Sequence, residues 1–357
     1  MFLETFGFDA SFHGPVNTDE VQQGRIGRVI QVQRSGALVQ VGPGEPLWAK
    51  PSGRLIHALV DAAALPAVGD FVVLSGPPAG DGWTLLERVL PRRSQLLRRA
   101  VGGGTVAQMI AANIDTVFIV CALGQDFNER RIERYLASVW SGGALPVVVL
   151  TKADLHPETA SFVARARVAA PGVPVVAVSA ATGSGLDEVR GWGGPGKTVA
   201  CIGSSGVGKS TLINALIGGD RLATQAVRSG DEKGRHTTTA RELIMLPGGG
   251  MLIDTPGMRE LEPWDAEGGV QEVFTDLSDL EARCRFSNCA HADEPGCAVT
   301  AAIADQTLTP ERLASWSKLR REQAWQERRR DASAAAAERQ KWKKIHKEVR
   351  RRDRVKI

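Results

Sequence analysis

The run GSSGVGKST, which begins at Gly203, constrains the fold most strongly because it lies between an apolar run and a helical pattern. The pattern G-x-x-x-x-G-K-[ST] in that setting predicts a phosphate-binding loop between a buried strand and a helix. Its glycines let backbone N–H groups face the phosphates, and the helix N-terminus adds a partial positive charge. We expect Lys209 to bridge the β- and γ-phosphates and the Ser210 hydroxyl to bind Mg²⁺. The predicted nucleotide contacts are Gly203, Ser204, Ser205, Gly206, Val207, Gly208, Lys209, Ser210 and Thr211.

Near-continuous apolar runs recur on both sides of this loop and alternate with helical patterns such as FNERRIERYLASVWS. Strands that are buried on both faces and alternate with helices indicate a parallel α/β sheet. The five runs are IDTVFIVCAL (114–123), LPVVVL (145–150), VPVVAVSA (173–180), TVACIG (198–203) and MLIDTPG (251–257).

The tetrapeptide TKAD, Thr151 to Asp154, directly follows the second of these runs. The Asp154 carboxylate can accept hydrogen bonds from guanine N1–H and the 2-amino group, whereas adenine would leave this carboxylate unpaired. Lys152 would lie along the base, and Ser179-Ala180, at the end of the third run, would place the Ala180 N–H near guanine O6. TKAD alone fits a capped helix start equally well, but beside a phosphate loop it indicates guanine recognition.

Two further segments complete the predicted phosphate site. Asp254-Thr-Pro-Gly257 ends an apolar run, so Asp254 can hold Mg²⁺ and the Gly257 N–H can meet the γ-phosphate during catalysis. The segment GRHTTTAR, 234–241, offers a threonine that could close over Mg²⁺ as a switch loop. We favour Thr238; its neighbours Thr237 and Thr239, or a threonine-rich strand entry without a metal role, are the alternatives.

The order of these motifs is unusual, because the guanine motif precedes the phosphate loop by about fifty residues. A sheet tolerates this order if its natural ends lie close together, are joined, and the chain is reopened after DTPG. That rearrangement attaches the second switch directly to the C-terminal region. We therefore expect the γ-phosphate state to be coupled mechanically to that region.

A cysteine and histidine cluster follows the α/β pattern. Three thiolates and one imidazole within 14 residues suit a tetrahedral structural zinc ion, while free cysteines beside an unrelated histidine are the alternative. The cluster comprises Cys284, Cys289, His291 and Cys297. Cys121 and Cys201 lie in apolar runs and are expected to be packing residues. An odd, sparse set of cysteines, no signal peptide and no long apolar run predict a cytoplasmic protein.

The two ends of the chain differ from its middle. Residues 1–22 lack periodicity and are expected to be mobile, and residues 24–89 carry short apolar pieces that fit a small β-barrel or a β-sandwich. The basic segment 91–99 is expected to be a linker. From Glu311 to Ile357 the chain carries 17 Lys and Arg against 7 Asp and Glu, a net charge of +10. Such a tail favours a polyanionic partner, with a solvated charged helix as the alternative.

Taken together, GSSGVGKST, GRHTTT, DTPGM, CRFSNCAHADEPGCAV and VLPRRSQLLRR resemble the RsgA/YjeQ family of ribosome small-subunit-dependent GTPases, over about residues 24 to 330. The resemblance implies an OB-fold barrel, a circularly permuted G domain and a mainly helical C-terminal zinc-binding domain. The expected boundaries are 1–22, 23–93, 94–262 and 263–357. The resemblance also favours the OB barrel over the sandwich.

The same resemblance implies binding of GTP or GDP with Mg²⁺, one structural Zn²⁺, and GTP hydrolysis stimulated by the small ribosomal subunit during its late maturation. The implied partners are the small subunit with its 16S rRNA and other subunit assembly factors. We expect a monomer with no membrane partner. There are two competing functions, a GTP-gated RNA-binding module and a P-loop ATPase or kinase. TKAD argues against the ATPase or kinase.

The residue after DTPG is Met258, where many G proteins carry the glutamine that orients the attacking water. Met258 cannot do this, so intrinsic hydrolysis should be slow until another group positions the water. His236 in the threonine segment is the candidate, because a neutral imidazole accepts a proton near pH 7. The alternative is that His236 contacts rRNA or packs within its loop.

Overall fold

A computed structural model describes residues 2–12, 16–33, 35–58, 65–77, 82–99, 107–219, 241–254, 269–292, 294–325 and 328. These residues form two compact units. The first contains the described residues up to Arg99 and from Ala107 to Val273, and the second contains those from Phe274 onward. The predicted domain boundaries at 22/23, 93/94 and 262/263 stay predictions.

The first unit begins with a closed five-stranded barrel. Its strands are β1 Ile26–Gln33, β2 Gly36–Gln40, β3 Leu47–Pro51, β4 Phe71–Leu74 and β5 Trp83–Val89. They are ordered β1-β2-β3-β5-β4, and pairing of β1 with β4 closes the ring. The barrel prediction is confirmed and the sandwich alternative is wrong.

Three short helices accompany the barrel, namely α1 Phe2–Thr5, α2 Thr18–Gln22 and α3 Gly53–Ala58. The described residues of segment 1–22, which was expected to be mobile, contain two short helices and buried aromatic side chains. Leu3, Phe8 and Phe12 are buried in one cluster with Phe71, whose ring centroid lies 4.6 Å from that of Phe12. Aromatic burial orders this segment although the sequence there has no strand or helix periodicity.

The remaining strands of the first unit are β6 Gln95–Arg99, β7 Ala107–Ala112, β8 Thr116–Ala122, β9 Leu145–Thr151, β10 Val175–Ala177, β11 Thr198–Ile202, β12 Arg241–Met245 and β13 Met251–Asp254. Strands β6 and β7 pair with each other, so the segment expected to be a linker is partly a strand. The helices are α4 Glu129–Ser141, α5 Thr159–Ala169, α6 Leu186–Gly191, α7 Lys209–Ile217 and α8 Gly269–Val273.

Six of these strands form the predicted α/β sheet in the order β10-β9-β8-β11-β13-β12. All neighbours pair in parallel except β12, which runs antiparallel to β13. Side chains from the faces of β8, β9 and β11 pack with α6 and α7 into one buried cluster. The near-continuous apolar runs are therefore explained by strands covered on both faces.

The sheet and the barrel are continuous, because β12 also pairs with barrel strand β1, with Gln31 opposite Glu242 and Val32 opposite Arg241. Arg28 lies on β1 and is fully buried. It donates to the carbonyl oxygens of Gly69 at 3.2 Å and Asn113 at 2.9 Å, and also to that of Phe6. Burial lowers the pKa of this guanidinium, and the carbonyl acceptors compensate for its lost hydration.

The second unit is helical in its described part, as expected, and contains α9 Thr275–Glu281, α10 Ala298–Ala304 and a longer helix at residues 310–325, called α11 here. Arg312 of α11 forms a two-bond ion pair with Asp276 of α9, at 2.6 and 2.8 Å. Trp316 and Leu319 of α11 are buried. Among the helices that the structure describes, none combines the length and hydropathy needed to cross a membrane.

Candidate functional site

The predicted nucleotide-binding segments meet at one edge of the α/β sheet. Thr151 ends β9, Gly203 follows β11, and Asp254 ends β13. Ser179 lies two residues after β10. These strands are parallel, so their carboxyl ends share an edge, which is where open α/β sheets bind ligands. Segments about a hundred residues apart in the chain are thereby brought together.

The loop after β11 has the backbone that a phosphate-binding loop requires. Gly203 and Gly208 have φ values of 148° and 90°, which side-chain-bearing residues rarely adopt. A Cβ atom on Gly203 would lie 2.3 Å from the carbonyl oxygen of Val120, so only glycine fits against β8. Helix α7 begins directly afterwards at Lys209. The loop's N–H groups and the N-terminus of α7 can therefore face a phosphate.

The guanine motif is bonded to this loop. The buried Thr151 hydroxyl donates to the Val207 carbonyl oxygen at 2.5 Å, and the Cys121 carbonyl oxygen lies 3.3 Å from the same hydroxyl. Oγ1 of Thr151 is also 3.5 Å from the position that a Cβ on Gly208 would take. The first residue of TKAD thus holds the phosphate loop against the end of β9.

Lys209 lies across the mouth of the same loop. Its ammonium group donates to the carbonyl oxygen of Gly203 at 2.7 Å and to that of Ser204. The Ser204 side chain is hydrogen-bonded to the hydroxyl of Tyr135, a buried residue of α4. Burial raises the pKa of Tyr135, and the contact with Ser204 opposes this shift without cancelling it.

The remainder of the guanine motif forms a tight turn. Lys152 has a left-handed backbone with φ of 62°, and the Ala153 N–H donates to the carbonyl oxygen of Val178 at 3.1 Å. The Asp154 side chain is exposed in this turn, and Lys152 is half-buried. A carboxylate in that position is accessible to a base bound above the sheet edge.

The loop after β10 is organised by Ser179, whose side chain is buried. The Ser179 hydroxyl accepts from the Thr182 N–H at 3.2 Å, and its carbonyl oxygen accepts from the Gly183 N–H at 2.9 Å. Ala180 is half-buried at the bend that results. Because β10 and β9 are adjacent, this bend lies beside the turn that carries Asp154.

Asp254 ends β13 partly buried, opposite Glu242 of β12. Burial and the nearby Asp254 carboxylate raise the pKa of Cys201 to about 12, and burial also raises the pKa of Cys121 to about 12. Both cysteines are buried, reduced thiols, so the prediction that they are packing residues is confirmed. Five other predicted site residues, His236, Thr237, Thr238, Thr239 and Gly257, lie outside the described residues, as does Met258.

The cysteine and histidine cluster in the second unit has the dimensions of a zinc site. Bonds of about 2.3 Å to sulfur and 2.0 Å to nitrogen in a tetrahedron give edges of roughly 3.8 Å between sulfurs and 3.6 Å between sulfur and nitrogen. The Sγ atoms of Cys284 and Cys297 are 3.9 Å apart, and Nδ1 of His291 lies 3.7 and 3.5 Å from them. With Cys289, all four ligand atoms lie within 4.8 Å of one another.

The donor set also has the right chemistry for zinc. Burial raises the pKa of Cys297, but the Thr300 N–H, which lies 3.4 Å from the sulfur, and His291 outweigh it and lower the value to about 6. A thiol that ionises this easily suits a metal-bound thiolate. His291 has φ of 60°, an uncommon backbone that directs its Nδ1 toward the two sulfurs. The four residues therefore fit Zn²⁺.

Comparison with known proteins bears on both sites. The family model described as RsgA GTPase matches residues 89–264. A protein of Opitutus terrae, named small ribosomal subunit biogenesis GTPase RsgA, is 47% identical over 363 residues and is covered over 99% of each chain. A Methanosarcina acetivorans protein of the same name is 42% identical over 317 residues, covering 89% of this chain and 82% of its own. The chain belongs to the RsgA GTPase family. It is accordingly a GTP hydrolase.

Solved structures support the same assignment for the fold. YjeQ from Thermotoga maritima has a TM-score of 0.62 and 27% identity, covering 84% of this chain and 98% of its own. YloQ, described as a circularly permuted GTPase, has a TM-score of 0.59 and covers 84% of this chain and 94% of its own. YloQ is 22% identical and shows the fold alone. The predicted circular permutation of the G domain is therefore confirmed.

Two residues of the sites were missed from the sequence. Tyr135 lies among apolar residues of α4, where the helical period marks it as a core residue, and only its hydroxyl reaches the phosphate loop. Glu281 precedes the first zinc-site cysteine by three residues, and its carboxylate oxygen lies 3.7 Å from Nε2 of His291. Tyr135 is the only tyrosine of the chain, and this was the one feature of the sequence that could have drawn attention to it.

Proposed function

We propose that this member of the family hydrolyses GTP on the small ribosomal subunit during the late maturation of that subunit. In this proposal the nucleotide state controls association and release. The supporting observation is the 47% identity with a protein named for small ribosomal subunit biogenesis, which extends over 99% of the chain. The bond from Thr151 to Val207 supports the same proposal, because it joins the base-reading and phosphate-binding segments into one site.

In the proposed nucleotide complex the N–H groups from Gly203 to Thr211 bind the α- and β-phosphates. The Lys209 ammonium exchanges its loop carbonyl partners for β- and γ-phosphate oxygens. The Ser210 hydroxyl and the Asp254 carboxylate hold Mg²⁺, which when bound neutralises charge on the phosphate oxygens. Lys209 supports this assignment by its position, since its ammonium already spans the mouth of the loop.

Base selection is assigned to Asp154 and the Ala180 N–H. The exposed carboxylate would accept from guanine N1–H and the 2-amino group, and the amide would donate to O6. Lys152 would cover the face of the base with its alkyl chain. An adenine base would leave the Asp154 carboxylate without donors, which makes an ATPase the weaker candidate.

Hydrolysis requires a group that positions the attacking water, and Met258 cannot supply it. We assign this role to His236, with Thr238 closing over Mg²⁺ and the Gly257 N–H meeting the γ-phosphate. These three assignments rest on the sequence, because the residues lie outside the described part of the chain. They imply that turnover stays slow until binding to the subunit positions His236 against the attacking water.

The proposed RNA contact has support from the barrel. Trp48 and Trp83 lie on neighbouring strands β3 and β5 with ring centroids 5.4 Å apart, and Lys50 Nζ lies 4.3 Å from the Trp83 centroid. Both rings are half-buried. Partly exposed aromatic rings beside a cation can stack unpaired bases of 16S rRNA. The basic segment 311–357 would bind further phosphates of the rRNA. The protein would act in the cytoplasm as a monomer, with other subunit assembly factors as partners.

We assign one structural Zn²⁺ to Cys284, Cys289, His291 and Cys297. When bound, the metal supplies cross-links to a segment that has few buried apolar residues of its own. Four protein ligands leave no open position for a substrate, so a catalytic role is not part of the proposal. The residues around the cluster then form a fixed surface of the second unit.

The deciding experiment measures GTP turnover by the full chain alone, with isolated small subunits, and with isolated large subunits. Strong stimulation by small subunits alone is expected. A turnover that is slow and unaffected by small subunits, although they bind the chain, would favour the alternative of a GTP-gated RNA-binding module. Lys209→Ala serves as the control that any measured hydrolysis arises from this site, and competition with ATP tests base selection.

A further inference from the structure

In the described part of the chain, the ring of His291 has an unsatisfied nitrogen on the side that faces away from the cysteines. Its Nδ1 lies toward the sulfurs of Cys284 and Cys297. Its Nε2 is buried and has no hydrogen-bond partner among the residues that the structure describes. A metal-bound histidine needs an acceptor for its second N–H, because that bond fixes the tautomer and the ring orientation.

Glu281, the last residue of α9, lies beside that nitrogen. Its Oε1 is 3.7 Å from Nε2 of His291, longer than the roughly 2.7–3.2 Å of an N–H···O hydrogen bond. The His291 side chain is 5% exposed and that of Glu281 is 36% exposed, so the carboxylate borders solvent while the imidazole does not. Only a small adjustment of either side chain is needed to close this contact.

Helix α11 holds both partners. Arg320 donates to Oε1 of Glu281 at 2.8 Å, and its guanidinium lies 4.5 Å from the ring centroid of Trp316. Trp316, one turn earlier on the same helix, is buried with its ring centroid 5.5 Å from that of His291. One side of α11 therefore supplies a ring against the imidazole face and a cation against the carboxylate at its edge.

We propose that Glu281 is a positioning residue that accepts from Nε2–H of His291 in the zinc-loaded chain, and that Arg320 and Trp316 make docking of α11 part of the zinc site. The proposal rests on the zinc site assigned above. A ligand held by a carboxylate is a better electron donor and loses less freedom on binding the metal. Zinc binding and the docking of α11 then stabilise each other, because each favours the same arrangement of His291 and Glu281.

The test compares Zn²⁺ affinity of full-length variants by competition with a chromophoric chelator. Glu281→Ala should weaken binding by roughly ten- to a hundred-fold, the range typical of residues that orient metal ligands. Glu281→Gln keeps an acceptor oxygen but loses the charge, so its affinity should fall between those of the wild type and Glu281→Ala. Arg320→Ala should weaken binding less than Glu281→Ala, because the carboxylate remains.

Asp276→Ala is the matched control. Asp276 also lies on α9 and also pairs with α11, through Arg312. The residues beside His291 are instead Glu281 and Trp316. If both alanine variants weaken zinc equally, general docking of α11 explains the effect and the proposal fails. It also fails if Glu281→Ala binds zinc as tightly as the wild type.

A second readout is independent of affinity. In ¹⁵N-histidine-labelled, zinc-loaded protein, the Nε2–H of His291 should give a resolved proton signal that exchanges slowly with water. Glu281→Ala should lose that signal and Asp276→Ala should keep it. A wild-type chain that binds no stoichiometric zinc would overturn the zinc site itself, whereas an unchanged signal in Glu281→Ala would overturn only the role of Glu281.

Discussion

The Thr151 hydroxyl donates to the Val207 carbonyl oxygen at 2.5 Å, across 56 residues of chain. In this contact the first residue of the base-reading motif determines the position of the phosphate loop. The contact joins the ends of β9 and β11, which flank β8 in one sheet, and it does not depend on chain order. It explains how a circularly permuted chain keeps the nucleotide site of a G domain intact.

Thr151→Val should loosen the phosphate loop. The substitution removes the donor and leaves the buried Val207 carbonyl without it, at a cost of about 1–3 kcal/mol in unfolding free energy. GDP and GTP affinities should fall together, because the contact lies beneath the loop and not at the γ-phosphate. Fluorescent nucleotide titration and denaturant unfolding measure both effects. Thr5→Val, which removes an exposed local bond to Phe2, is the control. Loss of GTP binding with GDP binding retained would contradict the explanation.

Asp154→Asn should change base preference. Loss of the charged acceptor should weaken GTP by about 1.5–3 kcal/mol, or roughly ten- to a hundred-fold, while xanthosine triphosphate gains affinity because the amide can donate to its 2-oxo group. Competition binding with both nucleotides measures the switch. Asp187→Asn, whose side chain is 95% exposed in a surface ion pair, should leave the preference unchanged. Unaltered GTP affinity in Asp154→Asn would remove this residue from base recognition.

Tyr135→Phe tests the missed contact to the phosphate loop. The ring that packs in α4 is retained, and only the hydrogen bond to Ser204 is lost, which is worth about 0.5–1.5 kcal/mol. We expect kcat/KM for GTP to fall by the corresponding few-fold factor. A double-mutant cycle with Ser204→Ala isolates the pairwise energy. If the two substitutions are additive, the hydroxyl does not act through Ser204.

Metal removal should unfold the segment between α9 and α10 while sparing the nucleotide site. A chelator should lower the helical circular dichroism signal and the thermal midpoint of the second unit, because the cluster has little core to replace the metal. GDP affinity should change by less than about twofold, since every described nucleotide-site contact lies in the first unit. Cys297→Ser should reproduce the chelator result. Loss of GDP binding in either case would show that the two units are energetically coupled.

Arg28→Met should destabilise the junction of the barrel and the sheet. The carbonyl oxygens of Phe6, Gly69 and Asn113 would lose their donor in a fully buried position, so the free energy of unfolding should fall by about 3 kcal/mol or more. Denaturant unfolding measures the loss. Arg54→Met, at an exposed position of the barrel helix α3, should cost far less. Equal losses would mean that the buried contacts contribute little.

Motif spacing and apolar runs predicted the parallel sheet, the permuted order and the cluster of three cysteines and one histidine, because each depends on local residue types. Contacts between distant segments were not predictable in this way. Phe8 and Phe12 pack against Phe71, about sixty residues away, and no local period reveals that contact. The basic segment 91–99 was expected to be a linker, and the strand Gln95–Arg99 within it is recognisable only through its pairing with β7. Tyr135 and Glu281 act through single polar atoms, which residue patterns do not locate.

Continuity between β1 and β12 has a practical consequence for anyone dividing this chain. A fragment beginning after the barrel would leave the outer side of β12 unpaired at Arg241 and Glu242, and would also remove the guanidinium that binds the Asn113 carbonyl. Unprotected edges recruit other strands and promote aggregation. Aggregation of such a fragment would therefore result from the exposed strand edge and would not indicate a defect in the nucleotide site. The smallest fragment suited to studying the GTPase should retain both the barrel and its N-terminal helices.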